Sequence, residues 1–299
     1  INIIDYICVE GKVIGAYGFS VHEEKFFVIY AKAVICATGG ASGIYKPNNS
    51  GFSRHKMWYS PFNTGAGYAM GIRAGAEMTT FEMRFIALRC KDTIAPTGTI
   101  AQGVKTPQVN GFSEEYVKNY GKPTTINRLY STVMENLKGN GPCYLKTKGI
   151  MENQVQDLFK AYLNMAPAEA LSWFDREINP SKQNIEIEGT EPYIVGGHGA
   201  SGYWVDTKRK TTLEGLYAAG DVSGGSPKKY VTVCFAEGQI AAESAARYIE
   251  GKKIVTISES KIHEYIQGVE RFFNGESEFE TEQIEEAMQK TMDEYSGGI

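Results

Sequence analysis

The sequence predicts an α/β protein: a doubly wound domain interrupted by an α+β capping segment and followed by the start of a helical domain. Three observations carry this. Residues 31–40 (AKAVICATGG) and 216–225 (LYAAGDVSGG) share a pattern, an apolar strand that runs straight into glycines. A strand of that kind is buried on both faces, and the turn at its carboxyl end is where nucleotides bind in open α/β sheets. The third observation is that the block between these copies breaks the pattern, with a long stretch rich in Gly, Pro, Thr and Gln at 93–125 and then several helical segments. The expected division is therefore residues 1–80 and 191–253 for the doubly wound domain, 81–190 for the cap and 254–299 for the helical start.

Taken in order, residues 1–9 and 13–20 read as strands joined by Glu10-Gly11-Lys12, a hairpin signal, and 25–30 continues the meander. Thr64-Gly-Ala-Gly67 precedes an apolar-periodic run (Tyr68, Met70, Ile72) that predicts a short helix stopped by Gly75. After it, Ala76, Met78 and Thr80 alternate with Glu77 and Thr79 as a half-buried strand does. Helices are predicted at 127–137, 151–163 and 167–177, the last with Pro167 at its first position, and a short strand at 143–146. Tyr203-Trp-Val205 resumes a strand. An amphipathic helix follows at 235–249, and the acidic tail 258–295 is helical with a break at Gly275. The chain opens without Met, and both ends read as cut from something longer, so an internal piece is expected.

Composition narrows the classes. The net charge of −4 over 299 residues gives no electrostatic footprint for nucleic acid, and Lys208-Arg-Lys210 and Lys228-Lys229 are too short to supply one. No apolar run is long enough to span a bilayer and no signal-peptide pattern opens the chain, so a cytoplasmic protein that does not span the membrane is expected. The five cysteines are scattered, with no C-x-x-C pair. They read as reduced, mostly buried thiols and not as a disulfide framework, a zinc site or an iron–sulfur cluster.

The chemistry-bearing residues gather in three stretches. Thr64, Gly65 and Gly67 let backbone pass close to a flat ligand as a helix begins. Residues 81–92 then deliver Arg84 and Arg89, two guanidiniums that suit an anionic substrate. His198 sits among glycines in Gly196-Gly-His-Gly199, where a ligand can approach both imidazole and main chain. After the second apolar strand, Asp221 is placed to accept hydrogen bonds from sugar hydroxyls, as acids do after strands in dinucleotide folds. The dipole of the helix beginning at Phe235 faces a position suited to a ring oxygen that gains negative charge.

Ala37-Thr-Gly-Gly40, Thr64-Gly-Ala-Gly67 and Gly215-Leu-Tyr-Ala-Ala-Gly-Asp-Val-Ser-Gly-Gly225, in this order, resemble the flavoprotein subunits of the succinate dehydrogenase and fumarate reductase superfamily. The resemblance implies FAD, bound in a two-part domain interrupted by a cap. It extends over nearly the whole chain for the alpha subunits of dissimilatory adenylylsulfate reductases, through Trp58-Tyr59, residues 81–92, Glu191–His198 and Met288–Tyr295. As implied by it, Ala37, Thr38, Gly39, Gly40, Thr64, Gly65, Gly67, Gly220, Asp221 and Phe235 contact FAD, and Trp58, Arg89 and His198 line the substrate pocket, with Arg84 as a further arginine. The family's glycine-rich nucleotide turn is expected upstream of residue 1, so this piece alone is expected to be inactive. Val231-Thr-Val-Cys234 stands where the family carries small Ser and Gly residues, and Ala87 and Cys90 where it is more aromatic.

The implied activity is an FAD-dependent oxidoreductase reaction of sulfur metabolism: two-electron reduction of adenylylsulfate to sulfite and AMP, or the reverse, through a flavin N5–sulfite adduct. Electrons would pass from a separate ferredoxin-like iron–sulfur beta subunit. Arg89 and a protonated His198, converging over one face of the flavin, would stabilise the charge on the sulfate oxygens. Trp58 would offer a flat face beside it. The alternatives are fumarate reduction or succinate oxidation on the same scaffold, and a non-catalytic flavin electron-transfer subunit. Against the first, the segment after Phe81-Glu82 lacks His-Pro-Thr, and residues 95–103 contain no arginine.

Overall fold

The computed structural model describes residues 1–41, 44, 62–79, 81, 87–189, 201–225, 230–275 and 277–295. In chain order the strands are β1 Asn2–Val9, β2 Lys12–Phe19, β3 Phe26–Tyr30, β4 Val34–Cys36, β5 Met78–Thr79, β6 Leu88–Cys90, β7 Gln108–Val109, β8 Cys143–Leu145, β9 Ile185–Gly189, β10 Gly202–Tyr203 and β11 Leu216–Ala218. The helices are α1 Ala66–Ala74, α2 Thr97–Gly103, α3 Thr125–Leu137, α4 Glu152–Met165, α5 Pro167–Asp175, α6 Val231–Ile249, α7 Glu259–Asn274 and α8 Thr281–Tyr295. They fall into two compact units. One comprises Ile1–Lys46, Pro61–Phe85 and Tyr193–Ile299; the other comprises Pro47–Ser60 and Ile86–Pro192.

In the first unit β1, β2 and β3 form an antiparallel meander. Its hairpin turns through Glu10 and Gly11, at φ 49° and 75°, the positive pair that matches the twist of the flanking strands. Helix α7 lies on this sheet through Tyr265, stacked on Tyr17 at 4.3 Å between centroids, and Phe273, edge-on to Phe19 at 5.4 Å. Strands β4 and β11 pair in parallel, Leu216 opposite Val34 and Ala218 opposite Cys36. The core gathers Tyr6, Val13, Cys36, Tyr68, Met70, Tyr203 and Leu216 from strands and helix α1.

The expected long strand over residues 31–37 is only three residues, and Ile35 is 40% exposed. Cys36 is buried while its neighbour Ile35 is exposed, so one face is covered where two were predicted. Helix α6 begins at Val231, four residues before the expected start, because nothing in Val-Thr-Val-Cys prevents a helix from extending back toward the turn it faces.

Helix α1 ends as predicted, with Gly75 at φ 87° and its amide bonded to the carbonyls of Gly71 and Ile72. Its Arg73 donates to Asp5 Oδ2 at 2.7 Å and to the Ile4 carbonyl at 2.9 Å, tying the helix end to β1.

The second unit is built on an antiparallel sheet in the order β6-β9-β8-β7. Its central strand β9 lies where no element is predicted; Ile185 and Ile187 are buried while Glu186 and Glu188 face outward, the alternation of a half-buried strand. Trp173 anchors the core, edge-on to Phe159 and Tyr162. Helices α3, α4 and α5 overlap the predicted ranges closely, and Thr124 caps α3 by accepting from the Asn127 amide. The stretch read as loop, 93–125, also contains α2, β7 and a 3-10 turn over Val117–Tyr120.

Two changes test this packing. A Cβ at Gly71 would clash with Cε1, Cζ and the hydroxyl oxygen of Tyr203, which is fully buried and hydrogen-bonded through its hydroxyl to Tyr6 at 3.1 Å and to the Gly67 carbonyl. Ala gains about 1 kcal/mol over Gly in helix propensity, but overpacking costs about 1–3 kcal/mol. Gly71→Ala is therefore expected to lower the urea midpoint, and a raised midpoint would show that Tyr203 moves freely.

Glu135 receives hydrogen bonds from Tyr120 at 2.6 Å and from Asn110 and Asn140, each at 3.0 Å. Burial alone would raise its carboxyl, yet these donors outweigh burial and hold it below the usual carboxylate value. The stabilisation is fully present above the unfolded value of about 4.3 and is lost as pH falls through the lowered folded value. Glu135→Gln should therefore flatten the fall in urea midpoint between about pH 5 and about pH 3; an unchanged slope would place the acid sensitivity elsewhere.

Candidate functional site

Three glycine turns from distant parts of the sequence meet in the first unit. The parallel pairing of β4 and β11 brings two of them side by side, and Ala219 extends it by donating to the Cys36 carbonyl at 3.0 Å. Residues 37–40 and 220–221 thus leave the same edge of the sheet, at the carboxyl ends of its strands. Ala37 and Thr38 are exposed, Gly39 is half-buried at φ 76°, and Gly40 is buried. The turn therefore presents main chain to solvent on one side while resting on the core on the other.

Helix α1 adds the third turn. A side chain at Gly67 would overlap Thr38, its Cβ 2.8 Å from the Thr38 Cβ and 3.1 Å from its Cγ2, so only glycine lets the helix approach this closely. Asn63 approaches the Thr38 carbonyl at 3.5 Å, the limit of a hydrogen bond. Tyr68 donates to the Asp221 carbonyl at 3.1 Å, which locks α1 to the turn after β11. Burial pushes the Tyr68 and Tyr203 hydroxyls well up, so both stay protonated and remain donors.

Thr64 and Gly65 also open on a largely apolar cavity of about 900 Å³ whose other walls include Tyr68, Phe81, Phe279 and, from α8, Met288. Its volume falls within the range usual for cofactor pockets.

The start of α6 completes the site. Cys234 packs beneath Gly220, its Sγ 3.7 Å from where a Cβ would stand, and donates to Asp221 Oδ1 at 3.6 Å. Phe235, one residue on, is 76% exposed. Glu237, not among the predicted site residues, is 2% exposed and accepts from the Gly220 amide at 2.9 Å. A signal for it existed. Glu237, Ala241 and Ala245 recur every four residues along the buried stripe of α6, and a carboxylate in such a stripe calls for a buried partner.

Of the predicted substrate residues, Arg89 is described. It lies within strand β6 of the second unit, opposite Glu188 of β9 and half-buried, with Leu88 and Cys90 turned into the core on either side. Its Nη1 donates to the Leu88 carbonyl at 3.0 Å. The turn that follows is held by Thr93, which donates to the Cys90 carbonyl at 3.1 Å and to buried Glu169 at 2.6 Å. Burial holds the Cys90 thiol well above its ordinary value, so it is no nucleophile. Trp58, Arg84 and His198 lie outside the described residues. Among the described residues no His, Cys, Asp and Glu cluster is arranged to hold a metal ion, and no helix is long and apolar enough to cross a membrane.

The FAD binding domain family matches residues 3–232. Adenylylsulfate reductase subunit alpha of Megalodesulfovibrio gigas is 29% identical over 79% of this chain and 43% of its own length. A solved structure described as adenosine-5-phosphosulfate reductase in complex with sulfite, as a covalent adduct, superposes with a TM-score of 0.86 at 32% identity, over 99% of this chain and 56% of that one. Quinol fumarate reductase of E. coli superposes at 0.76 and 20% identity over 98% of this chain and 52% of its own, a likeness of fold. The chain thus spans about half the length of these relatives.

The contact of Gly67 with Thr38 fits a cofactor whose backbone cradle a methyl group would push apart. Gly67→Ala in the holoprotein is expected to weaken FAD binding by roughly tenfold or more, read as released flavin fluorescence; undiminished retention would detach α1 from the cofactor. With three glycine turns converging at the carboxyl edge of β4 and β11 inside that matched span, the chain belongs to the FAD binding domain family, and its cofactor is FAD.

Proposed function

We propose that this chain supplies the FAD-binding and capping parts of an adenylylsulfate reductase-type flavoprotein, which reduces adenylylsulfate to sulfite and AMP or runs the reverse. The observation that carries the reading is the likeness, over nearly the full chain and at 32% identity, to an adenosine-5-phosphosulfate reductase holding sulfite. In this reading residues 1–80 and 191–253 are the FAD-binding domain, 81–190 the cap and 254–299 the start of a helical domain. Electrons reach it from an iron–sulfur partner subunit, since the five cysteines are scattered and three of them buried.

FAD, when bound, supplies the two-electron chemistry. The chain's own residues do the rest. Thr38, Gly39, Gly40, Thr64, Gly65 and Gly67 offer a backbone cradle, and Asp221 accepts from sugar hydroxyls of the cofactor. Phe235, exposed on the second turn of α6, offers an apolar face, and the amides of that helix end favour negative charge.

Arg89 is the proposed anchor for the sulfate oxygens. Its guanidinium stays charged at every working pH, and its rigid fork suits an oxyanion better than a flexible ammonium does. Its position on a strand, beside a turn held by Glu169, limits its freedom and so lowers the entropy lost on binding. His198 as a protonated donor, Trp58 as a flat face and Arg84 as a further cation complete the proposed substrate set.

The reading is tested on the holoprotein with its partner subunit. Adenylylsulfate-dependent oxidation of a reduced dye, together with bleaching of the flavin band by sulfite, is the expected result. Fumarate-dependent oxidation without either response would assign the dicarboxylate reaction, and no turnover with any of these would assign an electron-transfer role. Arg89→Ala is expected to lose about 2–4 kcal/mol of transition-state stabilisation, a roughly thirty- to thousandfold fall in turnover. Unchanged turnover would remove Arg89 from the chemistry.

A further inference from the structure

We propose that Glu237, paired with Arg209, is a positioning residue for the cofactor: its carboxylate clamps the Gly220–Asp221 turn against the start of α6 and so sets FAD affinity. The inference rests on FAD as the cofactor and is independent of the substrate.

The two oxygens of the carboxylate divide the work. Oε2 accepts from the Gly220 amide at 2.9 Å, and Oε1 lies 3.4 Å from Arg209 Nη2. Arg209 sits at φ 63° on a tight turn, and its carbonyl accepts from the Ala218 amide at 3.1 Å, so its backbone is fixed to the last residue of β11. Glu237 therefore joins three things: the end of β11, the turn beside it and the helix beneath.

Gly220 itself stands at φ 77°, a conformation that L side chains rarely adopt, at the point where the chain leaves the sheet toward Asp221. A turn of this kind needs its amide oriented by something other than its own backbone ladder. The carboxylate provides that orientation from below, on the buried side, leaving the opposite side of the turn for a ligand.

A structural filler explains less. Desolvating a charge is unfavourable unless it is paired and hydrogen-bonded, so an apolar residue would fill the same volume at lower cost. What an apolar residue cannot do is accept from Gly220.

The closing experiment compares Glu237→Ala, Arg209→Met and the double variant Arg209→Met with Glu237→Gln. Apoprotein is titrated with FAD, binding is read from quenched flavin fluorescence, and the melting temperature of each FAD-free protein is recorded alongside. Each single variant is expected to weaken FAD binding by at least roughly tenfold, one by removing the acceptor and the other by leaving a buried carboxylate without its cation. The double variant keeps an acceptor for Gly220 and leaves no charge unpaired, and it is expected to return to within about threefold of the parent.

Affinity unchanged in Glu237→Ala while its melting temperature falls would reduce Glu237 to a stabilising residue and overturn the proposal. So would a double variant that binds no better than Arg209→Met, a comparison that stands even if Glu237→Ala fails to fold.

Discussion

The parallel pairing of three residues, Val34 to Cys36 with Leu216 to Ala218, is the constraint on which the proposed cofactor site depends. It joins segments separated by most of the chain, so it gains nothing from proximity in sequence. The loop entropy is less forbidding than the separation suggests, since each doubling of loop length adds only about 0.6 kcal/mol. What the pairing achieves is directional. Parallel strands end on the same edge, so two turns from distant parts of the chain come out side by side, where the proposed cofactor surface needs them. An antiparallel pairing of the same strands would have sent them to opposite edges.

Onto that edge the protein fits α1 by removing side chains. Gly67 admits Thr38 and Gly71 admits Tyr203, so the helix is flattened where it meets the turn and where it meets the core. The buried hydroxyls of Tyr68 and Tyr203 then tie helix, turn and β10 together with directional bonds. Apolar packing sets how close the pieces come, and hydrogen bonds set their register.

The two strands that run into glycine turns were legible in the sequence from their apolar pattern, and their order along the chain is itself informative. Gly75 as a helix stop and Glu10-Gly11 as a hairpin were legible because backbone conformation there is set locally. Strand β9 and the role of Glu237 were not. β9 is five residues with two glutamates, so its signal is no stronger than that of an exposed loop, and only its neighbours β6 and β8 make it a strand. The spacing of Glu237 with Ala241 and Ala245 marks it as buried, but its partner, the Gly220 amide, is not known until the turn above it is placed. The length of β4 was overestimated for the same reason in reverse: apolarity reports that a segment is covered, not by what.

Helix α1 has a further consequence. It is nine residues long and carries two internal glycines, each worth about 1 kcal/mol less than alanine in a helix. Isolated helices shorter than about 12 residues are marginal in water even with favourable sequences. The helix therefore has no stability apart from the wall formed by Thr38, Tyr203 and Arg73's anchor on β1, and it forms only after that wall exists. In the order of folding the Thr64–Gly67 turn therefore follows the wall it rests on, and it is lost whenever that wall opens.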